Sequence, residues 1–290
     1  MFSDSLKNVI SEDVSLAPFC WLRVGGTARF FAEVDNLELL QQICREAQEA
    51  GLKIRVLGSG SNLLVRSGPL DALVVRLTGD FFKIETKEDR IKAGGGVELG
   101  ELIAVAAEQA LGGIETLAGI PGSVGAAVML NSGVTNNDIG SRVHLVTLVN
   151  EAGETSELTR DDLRFGFRRS NLEGSIVTSV ELKLEPTPVA EVTRRLQTAW
   201  IVKKKSQPPQ GERVAQAFIE PSGDNIAHLL EAAGMRTAEE GSAMMLPKFP
   251  GYLTVHPNGE PADVLALTAR IAKAVEVQTG IQLQPQLKIW

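Results

Sequence analysis

One short stretch, residues 56–65 with the sequence VLGSGSNLLV, restricts the fold of this chain more than any other. The apolar run Ile54–Leu57 that leads into it is typical of a buried strand. Gly58 and Gly60 let the backbone turn sharply and approach a ligand, because neither residue carries a Cβ. Successive backbone N–H groups in such a turn can form a concave anion site. The stretch therefore predicts either a cradle for a diphosphate or an ordinary strand–turn–strand corner.

The spacing of these glycines excludes the dinucleotide fingerprint of Rossmann folds. That fingerprint needs a third glycine three residues after the second, followed by a helix. Here Leu63 stands at that position and begins a second apolar run, which predicts a strand. If the turn is a phosphate cradle, the side chains of Ser59, Ser61 and Asn62 add hydrogen bonds to it.

A second glycine-rich stretch, Ala118–Ala127 (AGIPGSVGAA), runs on to Asn131–Gly133. It combines a rigid Pro-Gly turn with residues too small to fill space, so another backbone or a ligand must pack close to it. A crowded helix–strand crossing remains the alternative. Because this is the second such stretch in the same half of the chain, the sequence favours ligand contact.

Composition and charge exclude several classes of protein. The chain has 290 residues, of which 43% are apolar and 22% charged, as in soluble globular proteins. A net charge of -7 argues against a nucleic-acid partner, which requires a basic surface. No apolar run reaches the roughly 18–20 residues that cross a membrane, and Met1–Lys7 lacks the shape of a signal peptide. Two cysteines and three scattered histidines predict neither disulfides nor a metal site, so we expect a reduced, cytoplasmic protein.

The hydrophobic patterns predict an α+β protein with a linker at Gln207–Gly211. A ligand cleft between a larger and a smaller domain is expected. Helices are predicted from the Asn36 cap to Gly51, over about Leu99 to Ala110, from Val189 to about Lys205, and over Asn225–Ala233 and Ala262–Thr279. Strands are predicted at Ile54–Leu57, Ala72–Leu77, Phe82–Glu85, Ile91–Ala93, Leu145–Val149, Glu157–Leu158, Ile176–Leu184, Ala215–Ile219 and Tyr252–Val255. The lysine run at 203–205 is interpreted as cations suited to a helix C-terminus.

The order of motifs resembles the MurB family, the flavin-dependent UDP-N-acetylenolpyruvoylglucosamine reductases, over nearly the whole chain. The shorter of the family's two types is the better match. The segments that carry the resemblance are Leu22–Gly26, Gly58–Val65, Gly119–Gly125, Asn131–Gly133, Phe165–Ser170, Gln207–Pro208 with Phe218, and Pro285 with Ile289.

The resemblance implies an FAD-binding domain of the vanillyl-alcohol-oxidase (PCMH) type over residues 1–187, in two lobes of about 1–75 and 76–187. It implies a small α+β MurB-type substrate domain over residues 188–290, whose last strand can return to the first lobe. It also implies non-covalent FAD, NADPH as reductant, a nucleotide-sugar substrate and a monomer.

The resemblance assigns residues to both halves of the site. The expected FAD-binding residues are Leu57, Gly58, Ser59, Gly60, Ser61, Asn62, Leu63, Gly119, Ile120, Pro121, Gly122, Ser123, Gly125, Ala126 and Val177. Arg168 matches the arginine that binds and polarises the substrate carboxylate, and Phe167 and Glu220 are expected to contact substrate. Gln216 stands where the family has its proton-donating serine, and Gln286 where it has a glutamate.

Because a glutamine amide is not an acid at neutral pH, these departures leave two functions open. One is a MurB-type reductase with a divergent site. The other is a flavoprotein of the same fold that has lost or changed this activity, as a paralogue or with another acceptor. A third interpretation is an α+β protein whose glycine stretches are only structural.

Overall fold

A computed structural model describes residues 2–134, 137–209, 213–221 and 223–290. The end of the predicted linker, residues 210–211, lies outside the described residues. The chain divides into two compact units. Unit 1 comprises Met1–Glu12, Phe30–Ser59 and Asp71–Lys203, and unit 2 comprises Asp13–Arg29, Gly60–Leu70 and Lys204–Trp290. The predicted division into two domains after residue 187 stays a prediction.

The helices and strands alternate irregularly along the chain, as the α+β prediction expects. The helices are α1 Leu37–Glu49, α2 Leu99–Glu108, α3 Val124–Met129, α4 Val189–Ser206, α5 Ile226–Ala232 and α6 Pro261–Thr279. The strands are β1 Ile10–Ser15, β2 Thr27–Val34, β3 Ile54–Val56, β4 Leu63–Leu64, β5 Pro69–Leu77, β6 Ile84–Lys87, β7 Arg90–Gly94, β8 Leu111–Gly112, β9 Gly133–Val134, β10 Asn137–Asp138, β11 Val143–Asn150, β12 Thr155–Thr159, β13 Phe165–Gly166, β14 Arg169–Ser170, β15 Ser175–Lys183, β16 Glu185–Pro186, β17 Val214–Gln216, β18 Glu239–Glu240, β19 Ala243–Met245, β20 Tyr252–Val255 and β21 Lys288–Ile289.

The largest sheet of unit 1 has five strands in the order β12-β11-β15-β7-β6, and all of its pairs are antiparallel. Its buried face belongs to a core that includes Ile91, Val146 and Val180. Apolar residues of α2 and α3, among them Leu102 and Val128, belong to the same core. This packing fixes α3, which begins within the second glycine stretch.

A second sheet has the order β1-β2-β5-β3, in which β3 and β5 are parallel. Helix α1 begins at its predicted cap, because the Asn36 side chain accepts a hydrogen bond from the backbone N–H of Leu39 (2.9 Å). It buries Leu40, Ile43 and Ala47 in a core with Leu73 and Val75 of β5. The predicted strand–helix–strand order over residues 30–57 is thus confirmed.

Unit 2 contains an antiparallel sheet in the order β17-β20-β19-β18, with α5 and α6. Leu253, Leu267 and Ile271 lie fully buried in its core. Helix α6 ends at Gly280, whose φ of 76° is the left-handed cap that glycine favours. The last strand, β21, pairs in parallel with β4, whose residues lie in the predicted first lobe.

Several predicted element ends were wrong. Helix α2, predicted over about Leu99 to Ala110, stops two residues earlier at Glu108, because Ala110 takes a left-handed conformation (φ 57°) that a helix cannot continue. Strand β6 starts at Ile84 because Gly79–Phe82 form a 3-10 turn. Strand β17 stops at Gln216, and Phe218 forms an isolated bridge to Pro285. Among the described residues, no helix is long and apolar enough to cross a membrane.

Candidate functional site: two glycine loops and an arginine turn

The two glycine-rich stretches meet within unit 1. A Cβ added at Gly58 would lie 3.0 Å from Oγ of Ser123, so the backbone of the first loop passes directly against the second. The first loop leaves its strand after Leu57, whose N–H donates to the Val75 carbonyl (2.8 Å). The predicted FAD-binding residues Gly58 and Ser123, more than sixty positions apart in sequence, are therefore neighbours.

The second loop is held by backbone hydrogen bonds to residues 95–99. Leu99 N–H donates to the Gly122 carbonyl (2.9 Å), and Gly125 N–H donates to the Gly95 carbonyl (2.9 Å). Gly125 has little room for a side chain, since a Cβ there would lie 3.0 Å from the Gly95 oxygen and 3.4 Å from Cβ of Val177. The predicted site residue Val177, on β15, thus packs against the loop. Ala126 follows in α3, where its N–H is 3.4 Å from the capping Ser123 hydroxyl.

Where the two loops meet, several backbone donors are left over. Among the described residues, the N–H groups of Gly58, Gly122 and Ser123 donate to no acceptor. Ser123 is only 5% exposed, so its N–H is cut off from most solvent. Buried backbone donors are almost always hydrogen-bonded, so neighbouring donors without an acceptor favour an anionic ligand. These residues therefore fit the diphosphate of FAD.

The second half of the first loop, Gly60–Leu63, belongs to unit 2. Gly60 has φ 68°, and a Cβ there would lie 2.0 Å from the Phe19 carbonyl oxygen, so the turn itself requires glycine. The Gly60 carbonyl also accepts a hydrogen bond from Trp21 N–H (3.1 Å). Strand β4 follows at Leu63, as the sequence predicts, and Ser61 and Asn62 connect the turn to it.

Arg168 lies at the tip of a very short hairpin in unit 1. Strands β13 and β14 pair Phe165 with Ser170 and Gly166 with Arg169, which leaves Phe167 and Arg168 as the turn. Arg168 has φ 56°, a left-handed conformation that costs a residue with a side chain about 1–2 kcal/mol. Phe167 is 61% exposed. Strained residues of this kind concentrate at ligand sites.

Lys203 is a residue of the site that sequence reasoning missed. It lies on the inward side of α4, eleven and seven positions after Val192 and Leu196, both of which contact the core. Its aliphatic chain covers Gly119, where an added Cβ would lie 3.1 Å from Lys203 Cγ. Burial lowers the pKa of Lys203, and the charge of Arg168 lowers it further. The helical spacing of Lys203 with Val192 and Leu196 was the signal that could have separated it from its exposed neighbours.

Three predicted residues of the site lie in unit 2. Gln216 is the last residue of β17 and pairs with Tyr252. The backbone N–H of Gln286 donates to the carbonyl of Ala217, the residue after Gln216 (2.9 Å). The structure thus brings the two glutamines of the predicted site close together in the backbone. The Glu220 carboxylate accepts a hydrogen bond from Ile226 N–H (2.9 Å), the first residue of α5, so it has a structural partner. Its predicted contact with substrate stays a prediction.

Comparison with known proteins supports both halves of this arrangement. The FAD binding domain family matches residues 28–159, and the family of UDP-N-acetylenolpyruvoylglucosamine reductase C-terminal domains matches residues 207–290. The UDP-N-acetylenolpyruvoylglucosamine reductase of Rhodopirellula baltica is 36% identical over 290 residues, which are 100% of this chain and 95% of the relative. A second relative, reductase 2 of Symbiobacterium thermophilum, is 32% identical over 93% of this chain and 88% of its own length. The crystal structure of MurB from Thermus caldophilus superposes with a TM-score of 0.83 at 31% identity, covering 96% of this chain and 98% of that one.

The chain belongs to the UDP-N-acetylenolpyruvoylglucosamine reductase family.

Family membership confirms the predicted α+β class, with its FAD-binding and MurB-type C-terminal parts. The FAD-binding match includes both glycine loops, and the reductase C-terminal match includes Gln216, Glu220 and Gln286. Arg168, Val177 and Lys203 fall between the two matched ranges. Their assignment to the reductase site therefore rests on the geometry described above.

Proposed function

We propose that this chain is an FAD-dependent reductase that uses NADPH to convert UDP-N-acetylglucosamine enolpyruvate to UDP-N-acetylmuramate in peptidoglycan synthesis. The observation that carries the proposal is the 36% identity to a reductase of this name over the whole chain and 95% of the relative. The leftover backbone donors at the meeting point of the glycine loops support the flavin part of it.

Non-covalent FAD would be held by its diphosphate at Gly58, Gly122 and Ser123, with Ser59, Ser61 and Asn62 along the same loop. When bound, the flavin supplies the hydride that NADPH has given it. Gly125 and Val177 shape the wall of the loop, where their close packing leaves space for no larger side chain. Ile120 and Pro121 continue that wall on the Gly119 side.

Arg168 would bind and polarise the substrate carboxylate. A guanidinium forms paired, charge-assisted hydrogen bonds with a carboxylate, and its strained position at a turn tip presents it to a ligand. Lys203 adds a second positive charge beside it. The charge of Arg168 lowers the pKa of Lys203, and a bound anion would relieve the repulsion between the two cations.

The proton that completes the reduction cannot come from the side chain of Gln216, since an amide is no acid at neutral pH. In this proposal Gln216 holds a water molecule that delivers the proton, and Gln286 donates a hydrogen bond to the substrate carboxylate. Loss of a positioned general acid typically slows a step by ~10²–10⁴-fold. We therefore expect a slower reductase than relatives with serine and glutamate at these positions.

We propose further that the enzyme is a cytoplasmic monomer whose partner is the nucleotide sugar, with no nucleic-acid or membrane partner. Both cysteines, Cys20 and Cys44, are free and buried, and burial raises the pKa of each thiol to about 11. Unpaired, unreactive thiols of this kind suit a reducing compartment.

The test is stopped-flow spectroscopy on the purified protein. We expect a yellow protein whose flavin band bleaches with NADPH and recovers when UDP-N-acetylglucosamine enolpyruvate is added without oxygen. Flavin that is reduced by NADPH but recovers only with oxygen would support the alternative, a flavoprotein without this activity. A colourless protein that takes up no FAD would overturn both.

A further inference from the structure

The side chain of Asn131 joins two segments of unit 1 from a buried position. Asn131 is 6% exposed and has φ 44°. Its amide nitrogen Nδ2 donates to the Gly166 carbonyl (3.1 Å), and its oxygen Oδ1 accepts from the N–H of Gly140 (3.0 Å). Both functions of the amide are thus used on backbone groups, one of them next to the Phe167–Arg168 turn.

The other strand of the hairpin is tied to the same segment. The hydroxyl of Ser170 donates to the carbonyl of Met129 (2.7 Å), which is the last residue of α3. Helix α3 begins at the Ser123 cap in the second glycine loop. Helix α3 therefore connects the loop that meets Gly58 with strand β14 through Met129, and Asn131, two residues after the helix, connects it with strand β13.

The hairpin needs such ties. Each strand has two paired residues, and an isolated two-stranded hairpin is marginal in water. Arg168 also holds a left-handed conformation, which persists only when the surroundings over-determine it. Without the bond from Asn131 the Gly166 carbonyl would lose a buried donor, and the turn would lose one of the ties that hold it.

We propose that Asn131 is a positioning residue, which acts through the Gly166 carbonyl to hold Arg168 at a fixed place relative to the second glycine loop. The proposal rests on the proposed function, since it assigns Arg168 to the substrate carboxylate. Asn131 itself contacts no substrate in this proposal. Its effect is on where the guanidinium lies.

The variant that isolates this bond is Asn131→Asp. Aspartate tolerates the left-handed conformation and keeps an oxygen for Gly140 N–H, but it cannot donate to Gly166 while ionised. At about pH 7.5 we expect substrate-dependent flavin reoxidation to slow roughly 10- to 100-fold, as for a displacement of about 1 Å. FAD content and reduction by NADPH should stay as in the native protein. Because burial raises a carboxyl pKa, lowering the pH toward about 5 should restore a donor and part of the rate relative to the native protein.

Hydrogen exchange gives a readout that needs no activity. In Asn131→Asp we expect the backbone amides of residues 165–170 to exchange faster at about pH 7.5, while those of α3 keep their protection. Asn150→Asp is the matched control. The Asn150 side chain also donates through Nδ2, to Glu154 Oε2 (2.8 Å), and accepts a backbone N–H through Oδ1 (2.9 Å), but in an exposed turn.

The outcomes separate the two proposals. Native reoxidation rates and native exchange in Asn131→Asp would overturn the positioning role. A slower rate without recovery at lower pH, accompanied by loss of FAD or of protection in α3, would overturn it in favour of a purely structural role. In another outcome, the native protein reduces no substrate while hydrogen exchange at residues 165–170 still increases in Asn131→Asp. In that case the proposed function is wrong, but the role of Asn131 in holding the turn that carries Arg168 is supported.

Discussion

At the scale of single residues, charge and conformation distinguish the site from its surroundings. Arg168 has an unfavourable φ, and Lys203 carries its charge into a largely buried position. Both features cost stability, which suggests that they are retained for binding an anion. The exposed neighbours Lys204 and Lys205 fit the interpretation from the sequence, in which cations suit a helix C-terminus.

Replacing Lys203 should change the stability of the protein and its affinity for substrate in opposite directions. The pKa of Lys203 is lower in the folded protein than in the unfolded chain. Keeping this side chain charged in the folded protein therefore costs stability at a pH below the unfolded pKa. That cost is present at neutral pH and disappears as the pH rises through the folded pKa toward the unfolded one. We expect Lys203→Met to raise the melting temperature of the ligand-free protein at neutral pH and to weaken substrate binding roughly tenfold, for a lost charged contact of about 1.5 kcal/mol.

Thermal denaturation and substrate titration of the oxidised flavoprotein provide the two measurements for Lys203→Met. Lys204→Met, an exposed position one residue along, is the control and should change neither. A lower melting temperature for Lys203→Met would contradict the assignment of a destabilising charge.

Restoring the family's residues tests the proposed roles of the two glutamines. Gln216→Ser combined with Gln286→Glu should raise kcat by about 10²-fold, because a hydroxyl can deliver the proton that an amide cannot. The effect of the pair should exceed the product of the single changes if the residues act as a unit. The measurement is single-turnover flavin reoxidation, with FAD content as the control. An unchanged rate would mean that the proton has another source.

At the scale of elements, the glycine loops are fixed by two different constraints. Gly60 is required by its own turn, because a Cβ would overlap the Phe19 carbonyl. Gly58 has no such conflict with backbone, and an added Cβ would meet only the Ser123 side chain. The same motif therefore contains one glycine that its own turn requires and one, Gly58, that we propose is needed for the approach of the ligand.

Alanine at these two glycines should give different results. We expect Gly58→Ala to fold normally and to bind FAD at least tenfold more weakly, because the new methyl group would lie beside Ser123, whose N–H is one of the leftover donors. Gly60→Ala should lower the stability of the protein by several kcal/mol through the close contact, beyond the ~1 kcal/mol of left-handed strain. Urea unfolding and FAD titration measure the two effects. Gly51→Ala, with the same φ of 68° and no atom within 4 Å of the added Cβ, is the control for strain alone.

At the scale of the whole molecule, the protein consists of two compact units, and the chain passes between them several times. Each unit has its own buried core, centred on residues such as Val180 in unit 1 and Leu267 in unit 2. The FAD-binding match and the reductase C-terminal match fall largely on one unit each. Family membership over the full chain relates both units to one enzyme.

Binding of FAD should stabilise the folded protein as a whole. A ligand that binds only the folded state adds about 2.7 kcal/mol at a hundred times its dissociation constant. We expect the melting temperature to rise with FAD concentration, and Gly58→Ala to need more FAD for the same rise. Scanning calorimetry at several FAD concentrations measures this. A melting temperature that does not respond to FAD would contradict the proposed cofactor site.

The sequence by itself determined the α+β class, the family and the order of most elements, because these depend on local signals. Asn36 and Gly280 mark helix ends through their own backbone preferences, and Gly58 and Gly119 mark loops whatever lies around them. Only the tertiary structure placed Gly58 against Ser123, Lys203 over Gly119, and the amide of Asn131 between Gly140 and Gly166. These contacts join residues far apart in the chain. Their geometry is set by how the sheets and helices pack, which no local pattern of residue types specifies.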